Sequence, residues 1–266
     1  MQSLIAPDWL KGHLEEVTVA DVRWYLSDLT LGRREFLTGH IPGAVYLDVE
    51  SDLSAAEGPG RHPLPTREEF AQILERAGIG NTDFVVAYDS SGGAIAARLW
   101  WMLRWLGHEN VGILDGGIAG WQQAKGSLSA DTPQRAAASF EVKEPLVIAV
   151  DRSYVQDHAS EYRLVDARST ERYYGIKEPV DSAAGHIPGA INVPFVTNLA
   201  ADGRFLSPEA LGEKYEDAPT IAYCGSGVTA CHIIFAKHLA GQAAPLLYEG
   251  SWSDWAQNGG AVSTGA

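Results

Sequence analysis

The chain has 266 residues, of which 45% are hydrophobic and 9% aromatic, so it has enough apolar material for two packed domains. Its formal net charge of −14 at pH 7 argues against nucleic acids and anionic membranes as partners, because an acidic surface repels both. Two cysteines in 266 residues are typical of the cytoplasm rather than of a disulfide framework. Residues 1–5 lack the basic start of a signal peptide, and no stretch reaches the roughly 18 apolar residues of a membrane span. We therefore expect a cytoplasmic protein without a membrane segment.

In the first half of the chain, short apolar runs typical of buried parallel strands alternate with helical patterns. The predicted strands are residues 16–22, 44–47, 84–88 and 111–114. The predicted helices are residues 68–77 and 94–106. Thr66 and Glu69 have the spacing of a capping box, which places the start of the first of these helices.

The second half repeats this alternation of strands and helices. The predicted strands are residues 163–165, 190–193, 220–223 and 245–248. Ser207 followed by Pro208 predicts the start of one helix, and a second helix is predicted over residues 228–239. The polar stretch around residues 124–144, which contains Gly126 and Pro133, predicts a linker.

This pattern predicts an α/β fold with two tandem domains, each a parallel sheet flanked by helices on both faces. We expect a first domain over residues 1–125, a linker over residues 126–144 and a second domain over residues 145–266. In such sheets, ligands bind at the carboxyl ends of the strands.

Several segments occur twice in the same order, which indicates that a whole domain has been duplicated. Residues 38–44 read Thr-Gly-His-Ile-Pro-Gly-Ala, and residues 184–190 read Ala-Gly-His-Ile-Pro-Gly-Ala. Asp89 follows a tyrosine in the first copy at the position where Cys224 follows a tyrosine in the second. Cysteine chemistry is therefore expected in the second copy, and the first copy is expected to be non-catalytic.

The loop that begins at Cys224 reads Cys-Gly-Ser-Gly-Val-Thr and joins a predicted strand to a predicted helix. Backbone amides at a helix N-terminus attract anions, and a thiol placed there has a lowered pKa. Gly225 and Gly227 let the loop curl so that several amides point inward. The loop therefore predicts a cradle for a negatively charged sulfur, with Ser226 and Thr229 as hydroxyl donors. The alternative for Cys224 is a buried cysteine at a tight turn, and Thr229 can cap the helix as well as donate to the sulfur.

The two copies differ in length between the Gly-His-Ile-Pro-Gly-Ala segment and this loop. His40 and Tyr88 are 48 positions apart, whereas His186 and Tyr223 are 37 apart. The first copy therefore has about 11 extra residues, around positions 51–65. A loop of this length, interrupted by glycine and proline, is long enough to reach the active site of the other domain.

With these motifs the chain resembles the rhodanese superfamily of sulfurtransferases, in particular the two-domain enzymes that use thiosulfate or 3-mercaptopyruvate. The resemblance rests on the paired Gly-His-Ile-Pro-Gly-Ala segments, the loop of residues 224–229 and the block of residues 98–117. It implies transfer of a sulfane sulfur from a small-molecule donor to a thiol or cyanide acceptor through a persulfide on Cys224, stabilised by the loop amides. It implies no cofactor and no metal, and a thioredoxin-like reductant among the acceptors. A carrier that delivers its persulfide to a protein partner is the alternative.

The resemblance also assigns roles to individual residues. The arginine of an Arg-aromatic-x-Gly segment binds the donor and falls on Arg172, for which an interdomain salt bridge is the alternative. A relay of acid, histidine and serine falls on Glu50, with Asp48 nearby, and on His62 and Ser226, and a histidine can carry a proton near neutral pH. The expected catalytic residues are Cys224, Ser226, His62 and Glu50. The expected donor-binding residues are Arg172, Gly225, Gly227, Val228 and Thr229.

The two positions after the cysteine bear on the identity of the donor. The thiosulfate branch carries basic residues there, whereas this chain has Gly225 and Ser226, as the mercaptopyruvate branch does. This favours 3-mercaptopyruvate. The mercaptopyruvate enzymes also carry a second arginine shortly before the Gly-His-Ile-Pro-Gly-Ala segment, and residues 178–183 contain none. Use of thiosulfate, alone or together with 3-mercaptopyruvate, therefore stays open.

Other interpretations concern residues near the loop. A phosphatase needs Cys-x5-Arg, and the arginine position is occupied by Ala230, which argues against that activity. Cys231 is expected to be a buried helix residue, with a redox partner of Cys224 as the alternative. Arg168 and Asp166 are expected to form a structural ion pair, and the matching histidines of the two copies are expected to be structural.

Overall fold

The computed structural model describes residues 3–132 and 135–265, so Pro133 of the predicted linker lies outside the described residues. The chain forms two compact units, each with its own five-stranded sheet. The first unit consists of Met1–Ala55, Pro65–Leu146 and Ala201–Phe205. The second unit consists of Ala56–Leu64, Val147–Ala200 and Leu206–Ala266.

In the first unit, all neighbouring strands are parallel and their order across the sheet is β1-β5-β4-β2-β3. The strands are β1 (Leu4–Ile5), β2 (Thr18–Asp21), β3 (Val45–Tyr46), β4 (Val85–Tyr88) and β5 (Val111–Leu114). The helices are α1 (Pro7–Gly12), α2 (Leu31–Thr38), α3 (Arg67–Arg76), α4 (Ala96–Trp105) and α5 (Gly117–Gln123). The core around them includes three buried tryptophans, Trp100, Trp101 and Trp121.

The second unit has the same strand order, β6-β10-β9-β7-β8, and its neighbouring strands are also parallel. The strands are β6 (Ala149–Val150), β7 (Arg163–Asp166), β8 (Ile191–Asn192), β9 (Thr220–Tyr223) and β10 (Leu246–Tyr248). The helices are α6 (Arg152–His158), α7 (Thr170–Tyr173), α8 (Pro208–Lys214), α9 (Ala230–Leu239) and α10 (Ser251–Gln257). The predicted α/β fold, with a parallel sheet and helices in each of two duplicated units, is confirmed.

The predicted strands agree with the structure most closely in the middle of each sheet. The boundaries of β5 and β9 are those predicted, and β4 differs by one residue. The strand predicted over residues 16–22 is too long, because Leu14–Glu16 forms a 3-10 helix before β2. The two-residue edge strands β1 and β6 were not expected.

The predicted capping box at the start of α3 is present. The amide of Glu69 donates to Thr66 Oγ1, and the amide of Thr66 donates to the Glu69 carboxylate.

The start of α9 defines the end of the loop at Cys224. α9 begins at Ala230, two residues later than predicted, because the preceding residues belong to the loop. Residues 230–237 of α9 are all buried, so this helix crosses the interior of its unit. Within residues 3–132 and 135–265, no helix has the length and apolar character needed to cross a membrane.

Candidate active site

Cys224 lies directly after β9, a central strand of the second sheet, and only 2% of its surface is exposed. The amide of Cys224 donates to Ser251 Oγ at 3.1 Å, and its carbonyl accepts from the amide of Trp252 at 3.0 Å. The cysteine is therefore fixed between the end of a strand and the start of α10. This is the edge of a parallel sheet at which ligands bind.

The loop of residues 224–229 curls between β9 and α9. Gly227 has a φ of 76°, in the left-handed region that residues with a side chain rarely adopt. The carbonyl of Gly225 accepts from the amide of Ser253 at 2.9 Å, which holds the loop against α10. Thr229 precedes α9 but its side chain makes no capping hydrogen bond within the described part of the chain. Thr229 therefore occupies the N-cap position of α9 without a side-chain cap, and its role as a hydroxyl donor stays a prediction.

Asp89 occupies the place of Cys224 in the first unit, and it shows how such a loop treats an anion. Its side chain is buried, with 1% of the residue exposed, between β4 and α4. Its carboxylate accepts hydrogen bonds from four backbone amides at 2.7–2.9 Å, those of Ser91, Gly93, Ile95 and Ala96. The first copy of the loop thus holds a carboxylate on backbone amides, and Cys224 occupies the corresponding sequence position in the second copy.

The segment Ala56–Leu64 brings a histidine to the loop of the second unit. His62 Nδ1 lies 2.7 Å from Ser226 Oγ, and the two residues are 4% and 6% exposed. A neutral imidazole and a hydroxyl can each donate or accept a proton, so the pair can relay one. The expectation that the insertion reaches the cysteine loop is confirmed.

Arg172, in α7, lies against the same loop. A side-chain carbon added at Gly225 would lie 3.3 Å from Arg172 Nη1. Arg172 Nε donates to Glu178 Oε2 at 2.9 Å and Arg172 Nη2 donates to Asp181 Oδ2 at 2.7 Å. Its ion pairs are therefore with carboxylates of its own unit, and its guanidinium also faces the loop that carries the cysteine.

A second arginine at the loop had no role in the sequence-based expectations. A side-chain carbon added at Gly225 would lie 2.9 Å from Arg61 Nη2. The amide of Arg61 donates to Ser253 Oγ at 3.1 Å, and its Nη1 forms a short ion pair with Asp181 Oδ1. The available signal was a basic residue next to His62 in a segment already expected to reach the loop.

Arginines and carboxylates alternate along a partly buried row of ion pairs beside the loop. Arg168 pairs with Asp166 at 2.6 Å and with Glu178 at 3.3 Å, and Glu178 in turn pairs with Arg172. Burial raises the pKa of Asp181, although its arginine partners oppose this. Burial also acts to raise the pKa of Glu178, but hydrogen bonds from Arg172 and from two backbone amides outweigh it and lower the pKa.

The remaining expected residues have the following places. Glu50 belongs to the first unit, where its Oε1 accepts from Trp24 Nε1 at 3.1 Å, and its role in a relay stays a prediction. Cys231 is fully buried in α9 and its Sγ donates to the carbonyl of Gly227 at 3.3 Å. Both cysteines are free, and among the described residues no group of three or more potential ligands is placed to hold a metal ion.

The repeated Gly-His-Ile-Pro-Gly-Ala segments are structural in both units, as expected. His40 Nδ1 and His186 Nδ1 each donate to a backbone carbonyl, at 2.7 and 2.8 Å. The ion pair between Arg168 and Asp166 is also confirmed. The first unit contains the equivalent pair between Arg23 and Asp21 at 2.6 Å.

Comparisons with known proteins agree with this fold. The rhodanese-like domain matches residues 6–124 and again residues 151–258. A Pseudomonas aeruginosa protein named "Probable 3-mercaptopyruvate sulfurtransferase" is 41% identical over 95% of this chain and 94% of its own length. The thiosulfate sulfurtransferase of Rattus norvegicus is 32% identical over 96% of this chain and 92% of its own length. The crystal structure of SseA from Escherichia coli, described as a 3-mercaptopyruvate sulfotransferase, has a TM-score of 0.83 and 32% identity, covering 95% of this chain and all of that one.

The chain is a tandem of two α/β units, each with a parallel sheet. The loop after the central strand carries a cysteine in the second unit and an aspartate in the first. The chain belongs to the rhodanese family, and both of its units carry the rhodanese-like domain.

Proposed function

We propose that this protein is a sulfurtransferase that carries the transferred sulfur as a persulfide on Cys224. The observation that supports this most is the duplicated loop, because its first copy holds the buried carboxylate of Asp89 on four backbone amides. A loop of the same origin around Cys224 is suited to hold a thiolate and then a persulfide anion. We assign donor binding to Arg172 and to the loop residues Gly225, Gly227, Val228 and Thr229.

The proposed reaction has two steps. The Cys224 thiolate attacks the donor sulfur, and the bond between that sulfur and the rest of the donor breaks with its electron pair leaving on the donor. With 3-mercaptopyruvate the products are the Cys224 persulfide and the enolate of pyruvate, which takes up a proton. With thiosulfate the products are the persulfide and sulfite. A thiolate or cyanide acceptor then attacks the outer sulfur, and the Cys224 thiolate is released.

We propose 3-mercaptopyruvate as the preferred donor. Its enolate needs a proton, and the pair of His62 and Ser226 stands at the loop that carries Cys224. In this proposal His62 supplies the proton through Ser226, and Glu50 is the acid that supports His62. Relatives are named for 3-mercaptopyruvate and for thiosulfate, so both donors belong in the test.

We further propose that the acceptor is a small thiol, cyanide or a thioredoxin-like reductant, and that the protein acts in the cytoplasm. The two free cysteines are consistent with a reducing compartment.

Intact-mass analysis tests the central step. After treatment with 3-mercaptopyruvate, the protein should gain one sulfur atom, and cyanide should remove it. Cys224→Ser should lose both the adduct and turnover. Cys231→Ser is the matched control, because Cys231 is buried in α9, and it should keep both. Turnover by Cys224→Ser would contradict the proposal, and an adduct without turnover on any small acceptor would instead favour a persulfide carrier for a protein partner.

A further inference from the structure

Arg61 and Arg172 meet at one point of the cysteine loop. Arg61 Nη2 and both terminal nitrogens of Arg172 lie within 3.5 Å of the position that a side-chain carbon of Gly225 would occupy. The guanidinium groups are brought together by the carboxylate of Asp181, which receives Arg61 on Oδ1 and Arg172 on Oδ2. Two cations thus face the residue next to Cys224.

The carboxylate that joins them comes from the segment in which a second arginine was expected. Residues 178–183 contain no arginine, but they supply Glu178 and Asp181, whose side chains are each 3% exposed. Asp181 attracts Arg61 from the segment Ala56–Leu64. The second cation therefore comes from another part of the sequence than the resemblance implies.

The two arginines differ in how much of their hydrogen-bonding capacity is already used. Arg172 is bound by both Glu178 and Asp181. Arg61 is bound by Asp181, and its buried Nε has no hydrogen-bond partner in the described part of the chain. One-quarter of the Arg61 side chain is exposed, against 19% for Arg172, so Arg61 is open to an entering anion.

We propose that Arg61 is a specificity-determining residue that binds the carboxylate of an α-keto acid donor together with Arg172. A carboxylate accepts parallel hydrogen bonds from guanidinium groups, and two such groups beside Gly225 would hold the donor with its thiol toward Cys224. This inference rests on the proposed function. It adds that preference for a carboxylate donor is set by the residue before His62.

The proposal predicts that removal of Arg61 impairs turnover only of donors that have a carboxylate. Mercaptoacetone keeps the thiol and the keto group of 3-mercaptopyruvate but has no carboxylate. Arg61→Ala should lower kcat/KM for 3-mercaptopyruvate roughly 10- to 100-fold, mainly through KM, because the contact exists in both ground and transition states. It should change kcat/KM for mercaptoacetone less than threefold. Arg61→Lys, which keeps the charge but loses the planar fork, should recover part of the loss.

Calorimetric titration with pyruvate gives a readout that does not depend on sulfur transfer. Pyruvate should bind the unmodified protein and bind Arg61→Ala at least about tenfold more weakly. Arg152→Ala is the matched control, because Arg152 lies in the same unit and bonds to the carbonyl of Asn258. It should bind pyruvate normally, and thermal unfolding of each variant identifies any that fails to fold.

Equal losses of Arg61→Ala on 3-mercaptopyruvate and mercaptoacetone would overturn the proposal, as would unchanged binding of pyruvate. Failure of the proposed function looks different. In that case the unmodified protein would form no persulfide with 3-mercaptopyruvate or with thiosulfate. The pyruvate titration would still decide whether Arg61 binds a carboxylate.

Discussion

Arg172 is the residue at which donor binding and structural pairing compete. Three arginines and three carboxylates alternate in the row of ion pairs beside the loop, so the cluster is close to neutral before any donor enters. The cluster consists of Asp166, Arg168, Glu178, Arg172, Asp181 and Arg61. A donor anion therefore has to share Arg172 with Glu178 and Asp181 instead of meeting an unpaired cation.

Because Arg172 is shared in this way, we expect its removal to lower donor turnover only in part. Arg172→Ala deletes a charge-assisted contact of about 1.5–3 kcal/mol, so kcat/KM for the donor should fall roughly 10- to 150-fold. Arg172→Lys should recover only part of this, because an ammonium cannot bond to two carboxylates and the donor in one plane. Steady-state kinetics with both donors measures the effect.

Arg163→Ala is the control for this measurement, because Arg163 lies in the same unit in an exposed ion pair with Glu216. It should have ordinary kinetics. If Arg172→Ala also had ordinary kinetics with both donors, Arg172 would serve only as the partner of Glu178 and Asp181.

The segment Ala56–Leu64 brings two side chains to the cysteine loop from another part of the sequence. It provides His62, which contacts Ser226, and Arg61, which contacts Asp181. The sequence predicted that this insertion reaches the loop from its length and its glycines and prolines. It did not predict Arg61, because that role depends on the position of Asp181, which no local pattern reveals.

His62→Gln tests the proton relay that this segment would complete. Turnover with 3-mercaptopyruvate should fall much more than turnover with thiosulfate, since sulfite leaves without a proton whereas the pyruvate enolate needs one. Glu50→Gln should have a weaker effect with the same selectivity. Parallel kinetic assays with the two donors give the ratio that decides this.

His158→Gln is the matched control, because His158 is exposed at the end of α6 and pairs with Glu161. It should leave both turnovers unchanged. Equal losses of His62→Gln with both donors would mean that His62 only shapes the loop, and no loss would remove it from the mechanism.

Elements with a local signal were predictable, and elements set by tertiary contacts were not. The capping box at Thr66 and the apolar runs of β5 and β9 are visible in the sequence and appear in the structure. The edge strands β1 and β6 have two residues each and were not predicted, whereas the equally short β3 and β8 lie within runs of four residues that were predicted as strands. The predicted start of α9 is two residues too early, because Val228 and Thr229 belong to the loop.

The duplication has produced two loops that carry different residues at the same position, Asp89 in the first unit and Cys224 in the second. The repeated segments and the shared strand order make the two units equivalent in fold. In the first unit, the carboxylate of Asp89 accepts hydrogen bonds from the amides of its own loop. In the second unit, a buried cysteine takes this position. The sequence shows that only the second copy has a cysteine at this position, and the expectation that this copy is the catalytic one stays a prediction. It could not predict that four amides converge on Asp89, because this depends on the curl of the loop.

The convergence of amides on Asp89 predicts a cost when its carboxylate is removed. Asp89→Ala leaves four buried N–H groups without their acceptor, so the free energy of unfolding of the first unit should fall by about 3 kcal/mol. Asp89→Asn, which keeps one acceptor oxygen, should lose less. Urea denaturation measures the change, and Asp157→Ala, at an exposed position of α6, should stay within about 0.5 kcal/mol of the unmodified protein.

Sulfate gives the decisive comparison for this prediction. If the loop of the first unit is an anion cradle that Asp89 fills, sulfate should enter the space left in Asp89→Ala. It should then raise the urea midpoint of this variant more than that of the unmodified protein, because a ligand that binds only the folded state stabilises it. Equal responses to sulfate would show that the loop fits the side chain of Asp89 but does not bind anions in general. The argument from Asp89 to an anionic sulfur on Cys224 would then lose its support.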